Sequence, residues 1–201
     1  MCLKKYIKRK GNVLVIRIPG LKPLSSKPPD IVGEIHGTKQ FLVLHCLATK
    51  LSHEVHAEDV KRWHMAPPPH GYGWSRPGYV KILLQDGAWE YLVDKDKIDT
   101  DMLVEADEMT WGVKGYNSVS EHWVICGGLG EDGNPADTLT DKQYDSLSEA
   151  LNLYTGWYND TSIKIVGHYQ LDPINKAFCP GWSVPDRLTR MCIDDKFILK
   201  L

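Results

Sequence analysis

No apolar run in this chain approaches the roughly 18–20 residues needed to cross a bilayer. No two cysteines have the CxxC spacing, and neither sign of charge prevails. The first absence excludes a membrane-spanning helix. The second, with five cysteines scattered at positions 2, 46, 126, 179 and 192, argues against a disulfide framework and makes a reduced compartment the expectation. The third, 24 Lys and Arg against 26 Asp and Glu, argues against a protein whose main task is to bind nucleic acid or an anionic membrane. Internal repeats and low-complexity segments are missing too. What remains is 201 residues, 42% hydrophobic and 25% charged, which is one domain of ordinary size and neither disordered nor fibrous.

The opening MCLKKYIKRKGNVLVIRIPG has the basic start and apolar patch of a secretory leader. The apolar stretch Val13–Ile18 is too short for one, carries Arg17 and is followed by no small-x-small cleavage site. It reads as a strand behind a basic tip, with Lys4, Lys5, Lys8, Arg9 and Lys10 in a solvated tail. Residues 19–38 carry Pro, Gly and Ser at short intervals, an irregular connector. Residues 1–38 are therefore expected to be an N-terminal extension, and 39–201 the main domain. Between Asp86 and Glu108 nine acidic residues face only Lys95 and Lys97, which predicts a solvated loop or lid.

From Gln40 onward the periodicities sharpen. Phe41–Leu44 is a buried strand ending at His45. Residues 54–65 form a short helix stopped by Pro67, Pro68 and Pro69. Val80, Ile82, Leu84 and then Trp89, Tyr91, Val93 flank Asp86-Gly87, a hairpin with a two-residue turn. HWVIC at 122–126 is another strand. Thr140-x-x-Gln143 is a capping box opening a helix lined by Tyr144, Leu147, Leu151 and Tyr154 and ended by Gly156. Ile163–Val166 is a last buried strand, leading into Gly167-His168. Strands and helices interleave, so the fold class is α/β: a single domain with a central mixed β-sheet flanked by helices.

Two histidines stand in the same situation, His45 and His168, each just after a buried strand. Side chains at neighbouring strand ends project into one crevice, where α/β sheets place their ligands. Cys179 follows eleven residues after His168, in a turn-forming FCPG. Two imidazoles and a thiolate make a three-ligand set suited to Zn²⁺ with one position open. On spacing alone, a hydrogen-bonded structural histidine and a small buried thiol are the commoner explanations of these residues.

FLVLHCLATK (41–50), the RWH of the following helix, GYVKILLQDGAWE (78–90), KGYNS (114–118), the VICGG strand end and GH…CPG (167–181) occur in the order seen in the type 2 N-acetylmuramoyl-L-alanine amidases. The chain resembles that family of amidase-type phage lysozymes and peptidoglycan recognition proteins over roughly residues 40–190. The resemblance implies zinc held by His45, His168 and Cys179, with Tyr79 and Lys176 as catalytic partners. It implies hydrolysis of the amide between N-acetylmuramic acid and L-alanine of peptidoglycan. A tetrahedral oxyanion needs donors besides the metal, each worth roughly 3 kcal/mol when well placed, and the Tyr79 hydroxyl and Lys176 ammonium are the candidates. Trp74 and Trp111 could stack on sugar rings, and Asn117 could bond the stem peptide.

The chain departs from the phage lysozymes at three places. Ala177 stands where their catalytic lysine is found, so Lys176 is one residue further from Cys179. Val80 follows Tyr79 where relatives often carry His. Glu121-His122 replace the usual Ile-Gly, and a longer acidic segment precedes KGYN. His53, His56, His64 and His70 are expected on a helix and its approaches in structural or surface roles. Cys46, one residue after a ligand on a strand, is expected to face the core on the other side. A monomer acting on peptidoglycan is expected, with no nucleic acid or membrane partner, held in the host cytoplasm until lysis or delivered with a phage particle. A non-catalytic peptidoglycan-binding module, or a lysozyme that also regulates a phage RNA polymerase, is the alternative.

Overall fold

The computed structural model describes residues 7–10, 13–16 and 35–199. The chain divides into two compact units, Met1–Val32 and Gly33–Leu201. In the first, β1 (Ile7–Lys10) pairs antiparallel with β2 (Val13–Ile16). The strand expected from Val13 is present to Ile16, and its basic neighbours Lys8, Arg9 and Lys10 form its hairpin partner, not a tail. Lys4, Lys5, the end of the apolar stretch (Arg17 and Ile18) and residues 19–34 of the connector lie outside the described residues.

The larger unit runs β3 (Ile35–Thr38), β4 (Phe41–Cys46), α1 (Ala57–Met65), β5 (Lys81–Leu83), β6 (Trp89–Tyr91), β7 (Leu103–Glu105), β8 (Ser120–Ile125), α2 (Asp141–Trp157), β9 (Lys164–Gly167), α3 (His168–Leu171) and α4 (Val184–Arg190). Five strands make a mixed sheet in the order β6-β5-β8-β4-β9, with β6 antiparallel and the others parallel. Parallel strands covered on both faces are buried on both, as Leu42–His45 of β4 and all six residues of β8 are. On one face Leu42, Leu44, Trp123, Ile125 and Ile165 pack against Leu147, Leu151 and Tyr154 of α2 and Leu188 of α4. Each such side chain contributes about 1.5–3 kcal/mol by leaving water. On the other face Ile82 and Val124 pack on Ala57 and Val60 of α1, and Val43 and Val166 pack on Val113.

α2 opens with the expected capping box, in which Thr140 Oγ1 accepts from the Gln143 N–H and Gln143 Oε1 accepts from the Thr140 N–H. It continues through Gly156 to Trp157, because Tyr154 and Tyr158 anchor its last turn in the core. The β5–β6 hairpin has a three-residue loop, Gln85-Asp86-Gly87, and not a two-residue turn: the Leu84 N–H donates to the Ala88 carbonyl and Gly87 takes φ 89°. That positive φ is the position a three-residue loop reserves for glycine. The acidic segment is only partly a solvated loop. Its β7 pairs with β3, and Glu108 is buried with its carboxylate 3.7 Å from Lys39 Nζ. β3 itself occupies residues read as connector, since long-range pairing with β7 decides its state.

Candidate metal centre

Register builds the centre. β4 and β9 run parallel with Leu44 beside Gly167, so the next residue of each chain, His45 and His168, must stand side by side. Their ring centroids are 4.6 Å apart. The chain leaves β9, forms α3 and returns through Lys176–Cys179, a turn closed by the Cys179 N–H donating to the Lys176 carbonyl (3.0 Å). This return sets Cys179 Sγ 4.0 Å from His45 Nδ1. One ligand atom from each of His45, His168 and Cys179 lies within 4.8 Å of the others, and both histidines are buried.

The electrostatics suit a metal. Burial, then the charges of His122, His168 and Lys176, hold His45 well below the usual histidine range. Burial brings His168 down to about 4, with Lys176 lowering it further and Asp172 opposing. Both rings are therefore neutral near pH 7, the form that ligates metals. The Cys179 sulphur accepts the Cys46 N–H at 3.4 Å, the kind of contact that favours a thiolate. Without a metal, a hydrogen bond between the two thiols and then burial push Cys179 up, while the same bond holds Cys46 down to about 7. Two imidazoles and a thiolate fit a borderline-soft ion such as zinc.

Tyr79 stands beside the cluster, its ring centroid 5.0 Å from that of His45. Burial, then the charges of Cys179 and Cys46, push its hydroxyl far above the ordinary tyrosine range. Its hydroxyl therefore stays protonated near pH 7. Lys176 is exposed on the returning turn, and its charge acts on His45, His168, Cys46 and Cys179. Trp74 stacks on His64 at 4.8 Å and meets Trp111 at 6.1 Å, and His64 in turn meets Tyr79 at 5.4 Å. An aromatic row thus leads from Tyr79 to the surface, where Tyr72 is 69% exposed and Trp111 36%. Asn117 lies just before β8, level with the Phe41 end of β4, and its Oδ1 accepts the Val113 N–H at 2.8 Å. The structure commits it to its own loop and does not bring it to the cluster.

Three features were not anticipated. Cys46, expected in the core, is half-buried instead, with its N–H donating to Cys179 Sγ at 3.4 Å. The strand ends there, and Cys179 meets its last residue. His64 is a buried residue of the aromatic row, where its Nδ1 accepts the Gly78 N–H; burial holds it down to about 4. His122 is fully buried, with its Nδ1 3.2 Å from His45 Nε2. The replacement of Ile-Gly by Glu121-His122 was the only sequence signal of it. His56 caps α1 and bonds Glu90 at 2.9 Å, a structural role.

The fold is that of the N-acetylmuramoyl-L-alanine amidases and peptidoglycan recognition proteins. The amidase LysC from Clostridium intestinale superposes with a TM-score of 0.56 at 15% identity, over 87% of this chain and 96% of that one. The Drosophila peptidoglycan recognition protein PGRP-LB gives 0.53 at 15% identity, over 78% and 84%. No family model matches the chain. In sequence, the endolysin of Enterobacteria phage K11 is 32% identical over 147 residues, 73% of this chain and 83% of that protein. The chain belongs to the amidase and peptidoglycan recognition protein-like family, alongside the phage endolysins. These relatives support peptidoglycan hydrolysis as its activity.

Proposed function

We propose that this chain is a zinc-dependent N-acetylmuramoyl-L-alanine amidase, cutting the amide between N-acetylmuramic acid and L-alanine in peptidoglycan. The observation that carries the reading is the convergence of His45, His168 and Cys179 within 4.8 Å at the carboxyl edge of the parallel strands. A zinc ion held there supplies a Lewis acid for the scissile carbonyl and brings the pKa of water to about 7. The Tyr79 hydroxyl, kept protonated by burial, donates to the oxygen that becomes negative as the carbonyl turns tetrahedral. Lys176 supplies positive charge from its exposed turn. Trp74 and Trp111, with Tyr72 continuing the row, offer faces for sugar rings, while Asn117 shapes the loop before β8. The chain acts as a monomer, released onto the wall from the host cytoplasm or delivered with a phage particle.

The test is digestion of purified sacculi with and without chelator and added Zn²⁺, beside Cys179→Ala, with products read by mass spectrometry. Free stem peptides beginning with L-alanine, lost with chelator and with the substitution, are expected. Stoichiometric zinc without any released peptide would overturn the reading in favour of a binding module.

A further inference from the structure

We propose that His122 is a positioning residue that fixes the ring of His45 in the tautomer able to ligate a metal, an inference that rests on the zinc reading above. His45 presents Nδ1 toward Cys179 Sγ, at 4.0 Å, and Nε2 toward His122 Nδ1, at 3.2 Å. For Nδ1 to offer its lone pair to a metal, the ring proton must sit on Nε2. The atom in hydrogen-bonding position to receive it is His122 Nδ1, so the proton of His122 sits on its own Nε2. That Nε2 is buried and has no hydrogen-bond partner among the described residues. A buried donor without a partner is disfavoured and rare in native proteins, and here the opposite nitrogen of the same ring serves His45.

The slot around His122 is built to hold this ring. A Cβ on Gly112 would lie 2.4 Å from His122 Cγ and 2.5 Å from its Nδ1, and 2.9 Å from the Gly78 carbonyl oxygen. Residue 112 must therefore be glycine for the imidazole to lie flat against its backbone. On the sheet, His122 pairs with Val43, two residues before His45 on β4, so both side chains leave the same face one pleat period apart. The centroids stand 5.3 Å apart at 61°, an edge-on approach that points one ring nitrogen at the other. Metal-bound histidines ordinarily give their second N–H to a carboxylate, a carbonyl or water. Here a neutral ring from the central strand takes that place.

The test begins with long-range ¹H–¹⁵N spectra of the metal-free wild type, which need no substitution. His45 protonated at Nε2, and His122 protonated at Nε2 with Nδ1 as acceptor, are expected; His45 protonated at Nδ1 would overturn the proposal. Zinc affinity by chelator competition follows, with thermal unfolding of each metal-free protein reporting that it is folded. His122→Leu removes the acceptor and is expected to weaken zinc binding about 10–100-fold. His122→Asn keeps an acceptor near the same point and is expected to bind close to the wild-type affinity. A folded His122→Leu protein that binds zinc as tightly as wild type contradicts the assignment, as does an Asn variant as weak as the Leu variant. A wild type that binds no zinc would remove the zinc reading. One that binds zinc with His45 protonated at Nδ1 would remove this proposal alone.

Discussion

On β4, Leu42 and Leu44 enter the side of the sheet covered by α2, whereas Val43 and His45 enter the other; on β8, Trp123 and Ile125 go with the first pair and His122 and Val124 with the second. The helix side is mainly hydrocarbon, with Gln143 bonded to the Leu83 and Cys126 carbonyls and Glu121 accepting the Trp123 indole N–H at 2.5 Å. Near it the Lys81 ammonium lies 3.6 Å from the Trp123 ring centroid. The site side holds His45, His122 and His168 in contact, buried and neutral, with one nitrogen unpartnered. One face stabilises the fold, and the other accepts a stability cost that chemistry requires. Substitutions on the two faces should therefore read out in different assays.

The largest effect is expected from Cys179→Ala. It removes one of three ligands, and loss of several kcal/mol of transition-state stabilisation should lower activity on the order of 10³-fold. The midpoint of the metal-free protein should hardly move. Leu151→Ala makes the opposite cut: denaturant titration should show a loss of about 2–5 kcal/mol, with zinc stoichiometry retained at temperatures where the variant is folded. Tyr79→Phe should keep its zinc and lower kcat roughly 10²–10³-fold, the usual consequence of losing one oxyanion donor.

Acid should weaken the site side in particular. Burial pushes His122 down to about 3 and His64 down to about 4 in the native protein, against about 6.5 in the unfolded chain. Below pH 6.5 the unfolded chain takes up protons that the native one refuses, so stability falls until the native values are reached. Each histidine contributes a slope of up to about 1.4 kcal/mol per pH unit. Urea titrations of the metal-free protein at pH 7 and pH 5 measure it, and equal midpoints would contradict it. The smallest effect, about 1 kcal/mol, is expected from Thr140→Ala, which removes the α2 cap on the helix side and leaves activity intact.

Much of this was legible in sequence because it is local. FLVL followed by His45 and KIVG followed by His168 announce strand ends, and the parallel register then leaves the two rings no choice but to meet. Thr140 and Gln143 announce a helix start. The unreadable parts depend on distant partners. β7 is a strand because β3 pairs with it, and Glu108 is buried because Lys39 is there. His122 sits in a strand buried on both faces, where no alternation marks a functional side. Its role requires Gly112, ten residues earlier, to lie against its ring. Alternation places Cys46 in the core, but that rule is silent about what returns over the strand end, here Cys179.

The central claim is a metal centre of two imidazoles and one thiolate. X-ray absorption at the zinc edge of the purified protein tests it most directly. The expected inner shell has one sulphur at about 2.3 Å and two imidazole nitrogens at about 2.0–2.1 Å, losing the sulphur in Cys179→Ala. A shell with two sulphurs, drawing in Cys46, or one unchanged by Cys179→Ala, would contradict it.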